Sequence, residues 1–135
     1  MTHQKLTHRV AAALAAVTLL GLTPAWGATP PEFLAQYSAQ AASAVNAQRG
    51  QQFFAAKHGR EWSCASCHTH NPLQGGQHAG TGKAISALAP AGNAQRFTEA
   101  AKVEKWFRRN CNDVVGRECS AAEKADVLAW LMSLK

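Results

Sequence analysis

Residues Cys64 to His68 have the sequence "CASCH". Two cysteines separated by two residues and followed at once by a histidine form the C-x-x-C-H pattern of covalent haem attachment. The two thiols reach the two vinyl groups at one edge of a porphyrin, and the histidine is then placed under the iron as its proximal axial ligand. The motif therefore predicts one haem c that is attached to Cys64 and Cys67 and ligated by His68.

Other roles for this cysteine pair fit the surrounding sequence less well. A thioredoxin-like pair belongs in a βαβ unit, and no strand pattern is visible near Cys64. A zinc site needs two further ligands at matching spacing, whereas Cys111 and Cys119 are eight residues apart. With Cys64 and Cys67 occupied by haem, these two cysteines are left to pair with each other. An exported dithiol enzyme that uses Cys64 and Cys67 without haem is the alternative function.

The first 27 residues have the pattern of a secretory signal peptide. Lys5 and Arg9 precede the apolar run from Val10 to Leu22, which is too short to span a bilayer, and small residues favour cleavage after Gly27. A short membrane anchor or a buried helix is the alternative interpretation. We expect export to the periplasm of a Gram-negative bacterium, a compartment that permits disulfides, and a soluble mature protein of residues 28–135.

The charge of the mature chain limits its partners. It carries 12 basic and 8 acidic side chains, a net charge of +4. No block of lysine and arginine is present, so nucleic acid is not an expected partner. The excess charge is suited to the haem propionates or to an acidic protein partner. The candidates are Lys83, Arg96, Arg108 and Arg109.

Helical periodicity at both ends of the mature chain predicts an all-α fold. The first helix begins with Thr29 as N-cap and prolines in its first turn, and it continues through Val45 to a bend at Gly50. The last helix opens with a capping box formed by Ser120 and Glu123. Its apolar stripe consists of Val127, Leu128, Leu131 and Leu134.

These end helices resemble those of class I cytochromes c, which cross tightly around one haem. In that class a helix glycine and an aromatic residue four positions later meet an aromatic residue of the last helix, and Gly50, Phe54 and Trp130 match the three. The glycine-rich segment 69–95 is predicted to be a loop with a short helical turn near residues 85–88.

The distal side of the iron lacks the usual methionine. Electron-transfer cytochromes of class I offer a methionine as sixth ligand, and none occurs between His68 and Ser120. Met132 lies inside the last helix and is interpreted as a core residue. The sixth position therefore calls for another ligand or none.

A third helix offers one candidate for this position. With Thr98 as N-cap, it is predicted to run from Glu99 to about Cys111, with Trp106 packing against the haem. Val103, Trp106 and Phe107 form its apolar stripe, and Asn110 is the next position on it. From spacing alone, a helix C-cap is the more common role for such an asparagine, and a ligand or pocket role is the alternative. His78, in the glycine-rich loop, is the competing ligand.

Several segments together resemble the SHP-type (sphaeroides haem protein) high-spin cytochromes c. They are "CASCHTHNP", "GQHAGTGKAISALAP", "RFTEAAKVEKWFRRNC", "GREC" and the helix that contains "EKAD". The resemblance implies that Asn110 is the sixth ligand of the ferric haem. It also implies that the adjacent Cys111 is bridged to Cys119.

The resemblance implies a function as well. We expect Asn110 to dissociate on reduction, leaving an open ferrous site that binds a diatomic ligand such as O₂ or NO. The expected redox partner is a dihaem cytochrome c or a membrane cytochrome b. Turnover of oxygen or NO-related species is left open. The alternative function is simple electron transfer with a permanent sixth ligand such as His78.

Overall fold

The computed structural model describes residues 27–135, so the predicted signal peptide lies, apart from Gly27, outside the described residues. Five helices and one short pair of strands make up this part of the chain, which confirms the all-α class. The elements are α1 (Pro30–Gln40), α2 (Ala47–Ala55), α3 (Cys64–His68), β1 (Gly76–Gln77), β2 (Ala84–Ile85), α4 (Ala100–Val115) and α5 (Ala121–Ser133). None of the helices within residues 27–135 is long and apolar enough to cross a membrane.

The first helix begins as predicted but ends earlier. The Glu32 carboxylate accepts hydrogen bonds from the Thr29 N–H at 2.7 Å and from its hydroxyl at 2.9 Å. The helix stops at Gln40, and the predicted continuation through Val45 is wrong. A new helix starts where the Asn46 side chain accepts the Arg49 N–H at 2.9 Å, because this cap satisfies a free donor of the first turn.

Gly50 lies inside α2 rather than at a bend, because α2 and α5 cross there. A Cβ atom added at Gly50 would overlap the backbone carbonyl of Asp126 in α5. One turn further on, the rings of Phe54 and Trp130 lie 4.9 Å apart between their centroids. The close crossing predicted from the class I pattern is therefore present.

A buried carboxylate reinforces this crossing. The Asp126 side chain is only 3 % exposed and forms an ion pair with Arg49. It also accepts the N–H of Asn46 at 2.7 Å. The start of α2 is thus joined to α5 by charge and hydrogen bonds as well as by packing.

Helices α1, α4 and α5 meet at a second polar group. The Tyr37 hydroxyl donates to Glu104 at 2.6 Å, and the Lys124 ammonium donates to the same carboxylate at 2.9 Å. The ring of Phe107 packs edge-on against Tyr37, with centroids 5.6 Å apart. Burial and the hydrogen bond to Glu104 raise the pKa of Tyr37 above its usual range. Burial acts to raise the pKa of Glu104, but the bonds from Tyr37 and Lys124 outweigh it and hold that pKa below its ordinary value.

Replacing Tyr37 by phenylalanine should lower the free energy of unfolding by about 1.5–3 kcal/mol at neutral pH, the value of a hydrogen bond to a charged group. Because the folded-state pKa of Glu104 is depressed, its stabilisation is present above the unfolded-state pKa and is lost as pH falls through the folded-state pKa. The difference between the two proteins should therefore shrink below about pH 4. Denaturant unfolding at pH 7 and pH 3.5 measures it. A difference that does not change with pH would contradict the assigned bond.

The loop after α3 contains a hairpin where a helical turn was predicted. Strands β1 and β2 pair antiparallel, with Gly76 opposite Ile85 and Gln77 opposite Ala84. The predicted helical turn near residues 85–88 is therefore wrong. The connection between the strands lies against α3, since the Ala79 N–H points at the Cys67 sulfur at 3.3 Å.

Candidate haem site

One cleft of about 800 Å³ collects most of the residues singled out by the sequence. Its size lies within the range of roughly 300–1,000 Å³ typical of cofactor and ligand sites. Helices α3 and α4, the hairpin and the segment that leads into α4 all contribute to its wall. The lining includes Cys64, Cys67, His68, His78, Trp106, Asn110, Cys111 and Cys119.

The short helix α3 presents the attachment motif to this cleft. The Ser63 hydroxyl accepts the Ser66 N–H at 3.2 Å and begins the helix. Cys64 and Cys67 both line the cleft, and neither takes part in a disulfide. The chain leaves the helix directly after the histidine, since Thr69 has a φ of 61°. The two thiols and the imidazole that a haem c requires are therefore on one wall.

The protein environment favours the neutral protonation state of His68, which a metal ligand needs. Burial, with a smaller contribution from the nearby Arg96 guanidinium, lowers the pKa of His68 to about 4. The imidazole is therefore neutral at physiological pH, with a lone pair to donate. Its ring lies 6.3 Å from the ring of Phe54, centroid to centroid.

Helix α4 extends further than predicted, and this changes the position of Asn110. The helix begins with Glu99 rather than Thr98 as N-cap, and it ends at Gly116, whose φ of 78° forms a left-handed cap. The C-cap role that spacing alone favoured for Asn110 is therefore wrong. Asn110 lies inside the helix and lines the cleft.

Helix α4 contributes both apolar and polar side chains to the cleft. The large apolar ones are Val103, Trp106, Phe107 and Val114, and Lys102, Arg109, Asn110 and Asp113 also line the cleft. Val103 and Val114 are buried, whereas Trp106 is 45 % exposed at the cleft wall. A flat aromatic ring system such as a porphyrin fits these four apolar side chains, because cofactor sites combine a largely apolar lining with a few polar groups.

Among residues 27–135, one histidine besides His68 lines the cleft and two do not. The Nδ1 atom of His78 accepts the N–H groups of Gly80 and Thr81, each at 3.2 Å. His70 is exposed and does not line the cleft. His58 is hydrogen-bonded through Nε2 to the Phe53 carbonyl at 2.8 Å. Asn110 and His78 therefore remain as candidates for the sixth position.

The structure joins Cys111 to Cys119, with an S–S distance of 2.00 Å. The bridge fastens the end of α4 to the residue before the N-cap of α5. Both cysteines line the cleft next to Asn110. The covalent link therefore limits how far this part of α4 can move away from α5.

Replacing both Cys111 and Cys119 by alanine should lower the free energy of unfolding by about 2–3 kcal/mol, from the loop-closure entropy of a short loop. Urea unfolding of the haem-containing protein, oxidised and without reductant, measures the loss. An unchanged midpoint would show that this pair does not constrain the unfolded chain.

Sequence reasoning missed Phe97. It lines the cleft and has a φ of 57°. It packs against two clusters of buried apolar residues, one that contains Phe54 and Trp130 and one that contains Tyr37 and Val103. An aromatic residue directly before a predicted N-cap was the available signal, because that position often carries a hydrophobic staple.

Of the four basic candidates, Lys83, Arg96 and Arg109 line the cleft, and Arg108 does not.

Comparison with known proteins places the chain among the class I cytochromes c with one haem c. It belongs to a family described as a domain of unknown function (DUF1924), whose model matches residues 40–131. It is 43 % identical over 117 residues to the cytochrome c-type protein SHP of Cereibacter sphaeroides, covering 84 % of this chain and 90 % of that protein.

Two solved structures share the fold. One is oxidised SHP, described as an oxygen-binding cytochrome c, with a TM-score of 0.73 and 43 % identity over 78 % of this chain and 96 % of that one. The other is the solution structure of cytochrome c'' from Methylophilus methylotrophus, described in terms of haem-ligand detachment. It has a TM-score of 0.67 and 38 % identity over 77 % of this chain and 92 % of that one. The predicted family and the predicted haem c are confirmed.

Proposed function

We propose that this protein is a periplasmic cytochrome whose ferric iron is ligated by His68 and Asn110, with haem attached to Cys64 and Cys67. The observation that carries the proposal is that one cleft is lined by all four residues, three from α3 and one from α4. Trp106, one turn before Asn110 in α4, packs against the porphyrin in this arrangement.

Asn110 supplies a weak ligand. Its neutral amide oxygen is a hard donor that tolerates ferric iron and binds ferrous iron poorly. With haem bound and reduced, Asn110 would dissociate and remain beside the site, where its NH₂ group would be placed to donate a hydrogen bond to an incoming ligand. Haem with an open ferrous position supplies the capacity to take up a diatomic gas such as O₂, NO or CO.

Two descriptions of relatives support this proposal. SHP is described as binding oxygen, and cytochrome c'' is described as detaching a haem ligand. For the present chain we propose both behaviours at Asn110. We further propose electron exchange with a dihaem cytochrome c or a membrane cytochrome b after export and removal of residues 1–27.

The absorption spectrum of the reduced protein with and without CO tests the proposal. Reduction should convert the ferric spectrum to that of a five-coordinate ferrous haem, and CO should then shift it to a six-coordinate low-spin form. A ferrous spectrum that is already low-spin and does not respond to CO would refute the open site. Haem staining on a denaturing gel separately establishes the covalent attachment.

A second candidate function is simple electron transfer with His78 as a permanent sixth ligand. It is favoured by the position of His78 on the cleft wall, with an Nε2 atom that makes no hydrogen bond among residues 27–135. Replacing His78 by alanine should then turn a low-spin spectrum high-spin, and replacing Asn110 should have little effect. The Ala79 N–H contacts the Cys67 sulfur, so the loop that carries His78 lies against the helix that carries His68. Because a sixth ligand has to come from the side opposite His68, this contact favours Asn110 instead.

A further inference from the structure

The cations that line the cleft differ in whether they have a carboxylate partner. Lys102 is bonded to Glu99 at 2.6 Å, and Arg109 lies 3.9 Å from Asp113. Lys83 and Arg96 form no ion pair within the described part of the chain. Lys83 is exposed to solvent, whereas Arg96 is half-buried. Arg96 is therefore the cleft cation for which the lack of a counter-charge costs most.

Two backbone carbonyls fix the orientation of the Arg96 guanidinium. Its Nε donates to the Ala87 carbonyl at 2.8 Å, and one Nη donates to the Ser86 carbonyl at 2.7 Å. A guanidinium has five N–H donors in a rigid fork, so these two bonds leave donors free. Both carbonyls belong to the segment directly after β2, and Ser86 itself lines the cleft.

Arg96 lines the same cleft as Cys64, Cys67 and His68. Uncharged polar side chains from the segments around Arg96 and its two carbonyl partners also line the cleft. They are Ser86, Asn93, Gln95 and Thr98.

We propose that Arg96 is the binding site for a propionate carboxylate of the haem, which it receives with the N–H donors left free by Ser86 and Ala87. The proposal rests on haem attachment at Cys64 and Cys67. A planar, pre-oriented guanidinium suits a carboxylate, because it forms paired charge-assisted hydrogen bonds without ordering a flexible side chain at binding. The carboxylate in turn supplies the missing counter-charge.

Resonance Raman spectra of the haem-containing protein test this assignment, because the propionate bending bands respond to hydrogen bonding at the carboxylate. Arg96→Gln should shift one of these bands, and the reduction potential should fall because a cation near the iron is lost. Arg108→Gln is the matched control, since Arg108 is an exposed arginine outside the cleft wall. It should leave both readouts unchanged.

Further variants exclude the neighbouring cations. An unshifted band in Arg96→Gln, or a shift in Lys83→Gln or Arg109→Gln in its place, would overturn the proposal. If Arg96→Gln does not fold, Arg96→Lys is used in its place, because one ammonium group cannot reproduce the fork that joins two carbonyls and a carboxylate. An unshifted propionate band in Arg96→Lys would also overturn the proposal. A wild-type protein without covalent haem would instead refute the attachment at Cys64 and Cys67.

Discussion

Replacing Asn110 by methionine is expected to close the distal position of the reduced protein. A methionine thioether is the usual sixth ligand of electron-transfer cytochromes and raises the reduction potential, whereas an amide oxygen binds ferrous iron poorly. If the variant leaves about 1 % of molecules open, the apparent Kd for CO should rise about 100-fold, in inverse proportion to the open fraction. A CO titration of the dithionite-reduced protein measures it, and the ferrous spectrum should become low-spin.

Two variants separate this effect from a general disturbance of α4. Asn112→Met makes the same change at an exposed position of the helix that does not line the cleft, and its CO affinity should match the wild type. Asn110→Ala removes the proposed ligand without a replacement and should keep the ferrous site open. An Asn110→Met protein that binds CO as tightly as the wild type would place the distal ligand elsewhere.

Replacing Gly50 by alanine is expected to destabilise the protein by about 3 kcal/mol, the upper end of the usual cost of overpacking. The expected sign is opposite to that of an ordinary helix position, where the same change stabilises by about 1 kcal/mol. The reason is that the added methyl group overlaps the Asp126 carbonyl, so α2 and α5 have to separate and the contact between Phe54 and Trp130 loosens.

Urea unfolding of the haem-containing protein measures this loss, with Gln51→Ala as the control. Gln51 is the exposed neighbour of Gly50 in α2, so this variant tests helix propensity alone and should change the free energy of unfolding by less than about 0.5 kcal/mol. Equal or greater stability of Gly50→Ala would mean that the two helices do not cross this closely.

Features with a local chemical signature were predictable from the sequence. The attachment motif, the Thr29 start and the Ser120 capping box depend on residues within a few positions of one another, and each of these two helix starts is present in the structure. The crossing at Gly50 was predicted only through its resemblance to class I cytochromes c. Spacing alone suggested a bend, because the close approach of α5 cannot be read from α2.

Helix ends and electrostatic partners were harder to predict. Thr98 looked like an N-cap, but its hydroxyl donates to the Gln95 carbonyl at 3.0 Å, and α4 starts one residue later. Val114 continues the apolar stripe and Gly116 follows as a cap, yet the earlier Asn110 also resembled a cap, and spacing alone favoured it as the end of the helix. The cleft cations were not ranked from the sequence. The pairs Lys102–Glu99 and Arg109–Asp113 are local in sequence, but the hydrogen bonds that orient Arg96 depend on a segment that folding brings close.

The two anchors of α4 limit the motion that can accompany ligand release. Glu104 is hydrogen-bonded to Tyr37 and Lys124, Cys111 is joined to Cys119, and Asn110 lies between these fixed points. The helix backbone cannot swing outward there without breaking one of them. Under the proposed ligation, departure of the Asn110 amide would therefore be a rotation about its own side-chain bonds. Such a rotation takes picoseconds to nanoseconds, whereas a helix displacement takes microseconds or longer. We expect uptake of a gas after reduction to be limited by its diffusion into the cleft and not by rearrangement of the protein.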